Sequence, residues 1–266
     1  ADAGDEIFAG YERYAYLLKF NNKLNKVPKP VRHALVGVMN KVSSDNIPYF
    51  RKTYNFHSRY QKLKGLLQDP TPANMMKNSV QAFSHTDIKG IFVNEVDELP
   101  TKLVSTELME EFYDPLSYMM AVDYQTYMND DILQKVDRAT MSVSLEGREP
   151  FLDQDIIQWA AQLPSNLKYY KGEKKFLLKE IVYRHIPKKI MDRPKMGFSI
   201  PVDYWLGHEL KDIVLHYLDE KKLDHGFFEI NYVEELKRSF FGGKTDLYMK
   251  IWYLLMFQMW YDKWMK

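Results

Sequence analysis

Apolar residues recur along this chain at spacings of three and four over long stretches, while sustained apolar–polar alternation is scarce. That pattern restricts the chain to helices packed against helices, with little or no sheet. The spacing predicts helices over 6–24, 31–42, 49–67 and 72–83, separated by Pro28 and Pro30, by Asp45, Asn46 and Pro48, and by Asp69-Pro70-Thr71-Pro72. After a break at 84–100, where Ile91-Phe92-Val93 is the one short apolar run with strand character, Ser105 is a suitable N-cap. A helix over 115–128 follows, and Asp130-Asp131 is expected to cap the next. Further runs cover 153–163, 174–185, 208–218 and 232–240, with Gly242-Gly243 as a turn. The stretch 246–264 is apolar nearly all round and is expected to be deeply buried. Tyr113, Tyr118, Met119 and Met120, and likewise Trp252, Phe257 and Trp260, recur at core spacing without interleaved arginine, so they are assigned to the core rather than to base stacking.

The first fourteen residues, ADAGDEIFAGYERY, carry the most chemistry. Asp2 and Asp5 flank the small residues Ala3 and Gly4, Glu6 follows, and an amphipathic aromatic run begins at once. A loop entering a helix presents backbone N–H groups that hold phosphate oxygens, and small residues let the backbone come close. Carboxylates beside phosphates call for a divalent cation, and magnesium takes oxygen ligands. The same residues also suit a plain turn with acids favoured by the helix dipole, and local pattern leaves both readings open.

Three more segments combine charge with apolar residues. In LQKVDRATMSVSLEGREPFLD, residues 133–153, the apolar Leu133, Val136, Met141, Leu145, Phe151 and Leu152 are expected to be buried. Asp137, Arg138, Glu146, Arg148 and Asp153 among them then form a paired network, with one arginine free for a substrate carboxylate. In KGEKKFLLKE, Lys174, Lys175 and Lys179 stand in early helical turns where the dipole disfavours them, so they are expected to face an anion or solvent. In DRPKMGFSIPVDYW, Arg193, Lys195 and Gly197 between Pro194 and Pro201 make a basic loop suited to closing over a phosphate.

Composition excludes several classes. With no cysteine, disulfides, thiolate zinc sites and cysteine nucleophiles are ruled out. A net charge of +1 offers no general attraction for nucleic acid or membrane, and the basic residues of 49–67 suit a solvated amphipathic helix. No apolar run reaches the ~20 residues that span a bilayer. His57, His85, His185 and His216 lack metal-ligand spacing, so no zinc site is proposed. The expectation is a soluble, cytoplasmic protein.

Taken in order, these four segments resemble the carboxy-terminal part of the synthetase domain of glutamine-dependent asparagine synthetases. ADAGDEIFAGYERY is similar to that family's Gly-Asp/Glu-Gly-Gly/Ser-Asp-Glu-Leu/Val-Phe-Gly-Gly-Tyr motif, and Asp137 to Asp153 to its Asp-Arg-x-Ser-Met…Ser-Leu-Glu-x-Arg-x-Pro-Phe-Leu-Asp motif. The other two resemble its Lys-aromatic-Leu-Leu-Lys/Arg helix and its Arg-x-Lys-x-Gly-Phe-x-x-Pro loop. The resemblance covers nearly the whole chain and is weakest between about Lys23 and Val104.

The resemblance implies the mainly α, helical portion of an α/β adenine-nucleotide synthetase domain of ATP pyrophosphatase type, spanning 1–266. It implies an ATP- and magnesium-dependent ligase that activates an acceptor carboxylate, aspartate first, as an acyl-adenylate for attack by ammonia. By position, Asp2 faces the acyl-adenylate and Asp5 binds magnesium. Lys195 contacts phosphate, with Lys175 as runner-up, and Gly4, Glu6, Arg138, Arg148 and Arg193 are candidates for substrate and nucleotide. Ala1, Ala3 and Ala9 stand where the family has glycine, so backbone approach to nucleotide is expected to differ, and Thr140 replaces a serine. The family's Ser-Gly-Gly-x-Asp-Ser pyrophosphate loop and its glutaminase domain have no counterpart in the sequence. A partner amino-terminal half, self-association and inactivity of this stretch alone are therefore expected. The alternatives are a family member amidating a sugar or other carboxylate, and a catalytically silent helical interaction module. The enzyme reading requires the acidic turn and the basic loop at Lys195 to converge.

Overall fold

A computed structural model describes residues 2–42, 47, 56–97, 99–112, 114–192 and 200–265. Helices dominate it. Among the described residues the only paired strands are Tyr169–Tyr170 and Glu173–Lys174, antiparallel, with Tyr169 opposite Lys174 and Tyr170 opposite Glu173. Lys171 and Gly172 join them with φ of 46° and 92°, the two positive values that a tight two-residue hairpin turn needs. The described residues fall into two compact units. None of their helices is long and apolar enough to cross a membrane.

The first unit takes residues 1–36, 65–79 and 100–195. Its helix Pro115–Gln125 is capped by Asp114, whose carboxylate accepts from the N–H groups of Leu116 and Ser117 at 3.0 and 3.1 Å. That helix buries Tyr118, Met119 and Met120 as expected. Ile7, Phe8 and Ala160 form a small core with Phe151, Ile156 and Leu178 packed on it.

The second unit takes residues 37–64, 80–99 and 196–266. Its core gathers Ile91, Leu206, Val214, Leu218, Val233, Phe240, Ile251 and Leu255, drawn mainly from the helices Val202–Gly207, Lys211–Tyr217, Ile230–Phe241 and Tyr248–Trp264. Phe92 forms a single bridge to Phe228, so the expected strand over 91–93 is reduced to one rung. Gly243, with φ of 103° and its N–H on Phe240 O at 3.0 Å, makes the expected turn after Phe241.

Several expectations need correction. The run 6–24 is broken: one turn, Gly4–Ile7, precedes the helix Glu12–Leu24, because Ala9 adopts a left-handed φ of 57°. Asp130 and Asp131 cap nothing, since they sit within a π-helical turn, Met128–Leu133, continuous with the helix Gln134–Met141. The last helix buries only one stripe: Ile251, Leu254, Leu255 and Gln258 are inside, while Tyr253, Trp260 and Trp264 are exposed. The start of 49–67 and Tyr113 lie outside the described residues.

Candidate active site

The acidic turn is shaped by two left-handed alanines, Ala3 at φ 64° and Ala9 at φ 57°, which bracket the single helical turn Gly4–Ile7. The N–H of Gly10 closes back on Asp5 O at 2.8 Å. Inside this fold, Asp5 Oδ1 is 3.0 Å from Lys175 Nζ. Lys175 comes from the far end of the hairpin, is itself left-handed at φ 53°, and donates its backbone N–H to Phe8 O at 3.2 Å. The pair rests against Gly10: a Cβ there would stand 1.8 Å from Asp5 Oδ1 and 2.3 Å from Lys175 Cε. At Gly4 a Cβ would meet the Phe151 ring at 3.2 Å and Lys175 Nζ at 3.5 Å. The flanking lysines are also paired, Lys174 with Glu12 and Lys179 with Glu173 and Asp192 at 3.1 and 3.2 Å. All three lysines thus face anions, as expected, and the anions are carboxylates of the chain itself.

Behind Asp5 a buried polar network holds the loop to the helix Pro115–Gln125. Glu6 is only 2% exposed and accepts from the Tyr11 hydroxyl. Burial pushes its carboxyl up, against the pull of that hydrogen bond. Arg13 Nη2 lies 2.6 Å from Asp123 Oδ2, which also accepts from Tyr14 Oη at 2.5 Å. The guanidinium lies near two tyrosine rings, 4.4 Å from the Tyr11 centroid and 5.0 Å from that of Tyr127. Burial pushes Asp123 up, while Arg13 and Tyr14 pull it back.

The structure brings Gly4, Asp5 and Lys175 together. Asp2 joins the rim through its backbone, donating its N–H to Glu149 Oε2 at 3.1 Å. Glu6 is turned inward. Arg148 is exposed and pairs with Glu146 at 3.2 Å, whereas Arg138, on the exposed face of Gln134–Met141, makes no side-chain hydrogen bond or ion pair among the described residues. The paired network expected over 133–153 is therefore limited to Arg148 and Glu146. Asp153 instead caps the helix Gln154–Gln162, accepting from the N–H groups of Asp155 and Ile156. Met141 and Leu145, expected inside, are more than half exposed, because no described element covers them. Arg193, Lys195 and Gly197 lie outside the described residues, so the site is built on Lys175.

Sequence reasoning did not single out Gly10, nor the pairing of Arg13 with Asp123. A lone carboxylate at Asp123, between Val122 and Tyr124 in an apolar helix, is the local signal for the second. Nothing local gives the partner.

The asparagine synthase family model matches residues 1–262 of the chain. Asparagine synthetase [glutamine-hydrolyzing] 1 of Bacillus subtilis is 28% identical over 264 residues, covering 98% of this chain and 39% of its own. A putative asparagine synthetase [glutamine-hydrolyzing] of Mycobacterium bovis is 27% identical, covering 98% of this chain and 38% of its own. The chain thus spans about two fifths of the length of these relatives. No solved structure matches it. With a family model matched across nearly its whole length, the chain belongs to the asparagine synthase family.

Proposed function

We propose that this chain is the helical part of a cytoplasmic, glutamine-hydrolysing asparagine-synthetase-type ligase, and that the Asp5–Lys175 group handles the phosphates of ATP. The observation that carries this is the ion pair itself, a carboxylate and an ammonium converging on a glycine with no room for a side chain. The remainder of the α/β nucleotide fold, its pyrophosphate loop and the glutaminase would come from outside 1–266, and this stretch alone would not make asparagine.

Magnesium fits Asp5 in one way. Among the described residues no cluster of three acidic or histidine side chains surrounds a cation position. Such an ion takes one or two carboxylates and completes its shell with water and substrate phosphate. Asp5 supplies one carboxylate, and its pairing with the Lys175 ammonium at 3.0 Å supports its reading as a group that faces positive charge. Bound there, magnesium would supply positive charge that polarises the phosphoryl oxygens.

The residues of the chain do the rest. Lys175, exchanging Asp5 for phosphate oxygens, holds them and offsets charge developing in the transition state. Lys195 is assigned the same task from the basic loop. An acceptor carboxylate oxygen, that of aspartate in this reading, bonds to the α-phosphorus as pyrophosphate leaves. Ammonia then bonds to the acyl carbon as AMP departs, and its surplus proton passes to a base, for which Asp2 is the candidate. Arg138, with no side-chain hydrogen bond or ion pair among the described residues, and Arg148 are assigned to acceptor binding. The test is acceptor-dependent pyrophosphate release by the chain joined to the upstream part of a relative, with aspartate and a sugar carboxylate compared. Release with aspartate supports the reading, release only with the sugar acid moves the acceptor, and no release with either leaves a helical interaction module.

A further inference from the structure

Next along the chain from Asp5, Glu6 enters a cavity of about 160 Å³, walled chiefly by Ile7, Met120, Ala121 and Ile157, that also takes in Lys168. Lys168 is 3% exposed, and its ammonium forms no hydrogen bond or ion pair among the described residues. Asp114, the carboxylate whose field it feels, is already engaged by Ser165 Oγ and by the N–H groups of Leu116 and Ser117. A charge removed from water without a partner is costly, so buried charges are paired. Ser117, Tyr124 and Gln125 also line the cavity, but among the described residues none of them pairs with Lys168, and the space beside the ammonium has room for a partner.

We propose that this cavity binds a small zwitterion, an α-amino acid with a short aliphatic side chain, its carboxylate on Lys168 and its ammonium on Glu6. Charge and size both select it. A simple anion would satisfy Lys168 but meet Glu6, and a simple cation the reverse; a zwitterion answers both and brings no net charge into a low-dielectric space. A cavity of this size holds about six heavy atoms, as a 150 Å³ apolar cavity holds benzene, which matches alanine or 2-aminobutyrate. The site is distinct from the Asp5–Lys175 group yet tied to it. Glu6 follows Asp5, and Lys168 leads through the hairpin Tyr169–Lys174 into Lys175, so occupancy would fix both ends of that pair.

The experiment needs neither ATP nor catalysis, so its outcome is separate from that of the proposed activity. The chain, labelled at methionine and isoleucine methyl groups, is titrated with 2-aminobutyrate, butyrate and propylamine and followed by NMR. Saturable shifts at Met120 and Ile157 are expected with 2-aminobutyrate, at least tenfold tighter than with either singly charged analogue. Lys168→Met, which removes the charge, and Ala121→Leu, which removes the room, should each weaken binding at least tenfold. No saturable shift in the unsubstituted chain overturns the site, butyrate binding as tightly overturns the zwitterion, and undiminished binding by a folded Lys168→Met overturns the role of Lys168. Should that variant not fold, the three-ligand comparison on the unsubstituted chain decides.

Discussion

Lys175 Nζ and Asp5 Oδ1 stand 3.0 Å apart, and Asp5 Oδ1 and Lys175 Cε fill the space that a Cβ on Gly10 would occupy. Gly10→Ala places a methyl group where the pair now lies, and both side chains must move. Because they are the ends of flexible side chains, the stability loss should be modest, about 1–2 kcal/mol. Catalysis is more sensitive, since a displacement of ~1 Å can cost about a hundredfold in rate. Urea unfolding and pyrophosphate release measured on the same variant should show that imbalance; equal small effects on both would count against the pair as a functional group.

Ala3 and Ala9 occupy backbone conformations in which an L-residue costs ~1–2 kcal/mol. Glycine relieves that strain, but it removes a buried methyl group worth ~0.8 kcal/mol and adds ~0.4–1 kcal/mol of unfolded-state entropy. These terms nearly cancel, so Ala3→Gly and Ala9→Gly should shift stability by less than about 1 kcal/mol. Ala9→Val, β-branched, left-handed and overpacked, should cost about 3 kcal/mol or more. Urea midpoints compare them, and a valine as mild as the glycine would contradict the assigned backbone.

Arg13, half-buried, pairs with the fully buried Asp123, and removing the arginine strands that carboxylate. Arg13→Met should destabilise by about 3–5 kcal/mol. The double replacement Arg13→Met with Asp123→Leu should recover most of that loss. If the double variant is as unstable as the sum of the singles, the pair is not coupled.

Asp87 accepts from Tyr232 Oη at 2.6 Å, Lys250 Nζ at 2.7 Å and Ser84 N at 2.7 Å. Burial raises its carboxyl, but these partners outweigh it and hold the group below the usual carboxylate range. The unfolded chain therefore binds the proton first on acidification. Asp87 stabilises fully above about pH 4 and loses that contribution as pH falls through its lower folded value. Asp87→Asn should accordingly lag the unsubstituted chain at neutral pH and approach it at low pH. Glu6 has the opposite sign: its raised carboxyl makes the folded state the better proton binder, so Glu6→Gln should gain on the unsubstituted chain as pH rises above about 4. Denaturation series across pH check both signs, and gaps that stay constant with pH would contradict them.

The helical character of the chain, the Ser105 cap and the glycine turn after Phe241 were legible in the sequence because each depends on neighbours a few residues apart. The break at Ala9 was not, because alanine gives no sign of a left-handed φ that the surrounding contacts impose. The hairpin Tyr169–Lys174 was hidden at the edge of a strong helical run, although Lys171-Gly172 is its turn. At the site, Asp5 was visible as a carboxylate in a loop of small residues. Its pairing with Lys175 spans most of the first unit and needed three dimensions, as did the inward turn of Glu6. The exposure of Met141 and Leu145 runs against their chemistry, and periodicity alone cannot tell which apolar face a chain leaves uncovered.

The most direct test of the account is a double-mutant cycle on acceptor-dependent pyrophosphate release, using Asp5→Asn and Lys175→Met in the chain joined to the upstream part of a relative. If the two groups act as one phosphate-handling unit, each single variant should lose about a hundredfold or more, and the double variant should be scarcely slower than the worse single. Retention of the unsubstituted rate by either single variant, or strictly multiplicative losses, would contradict it.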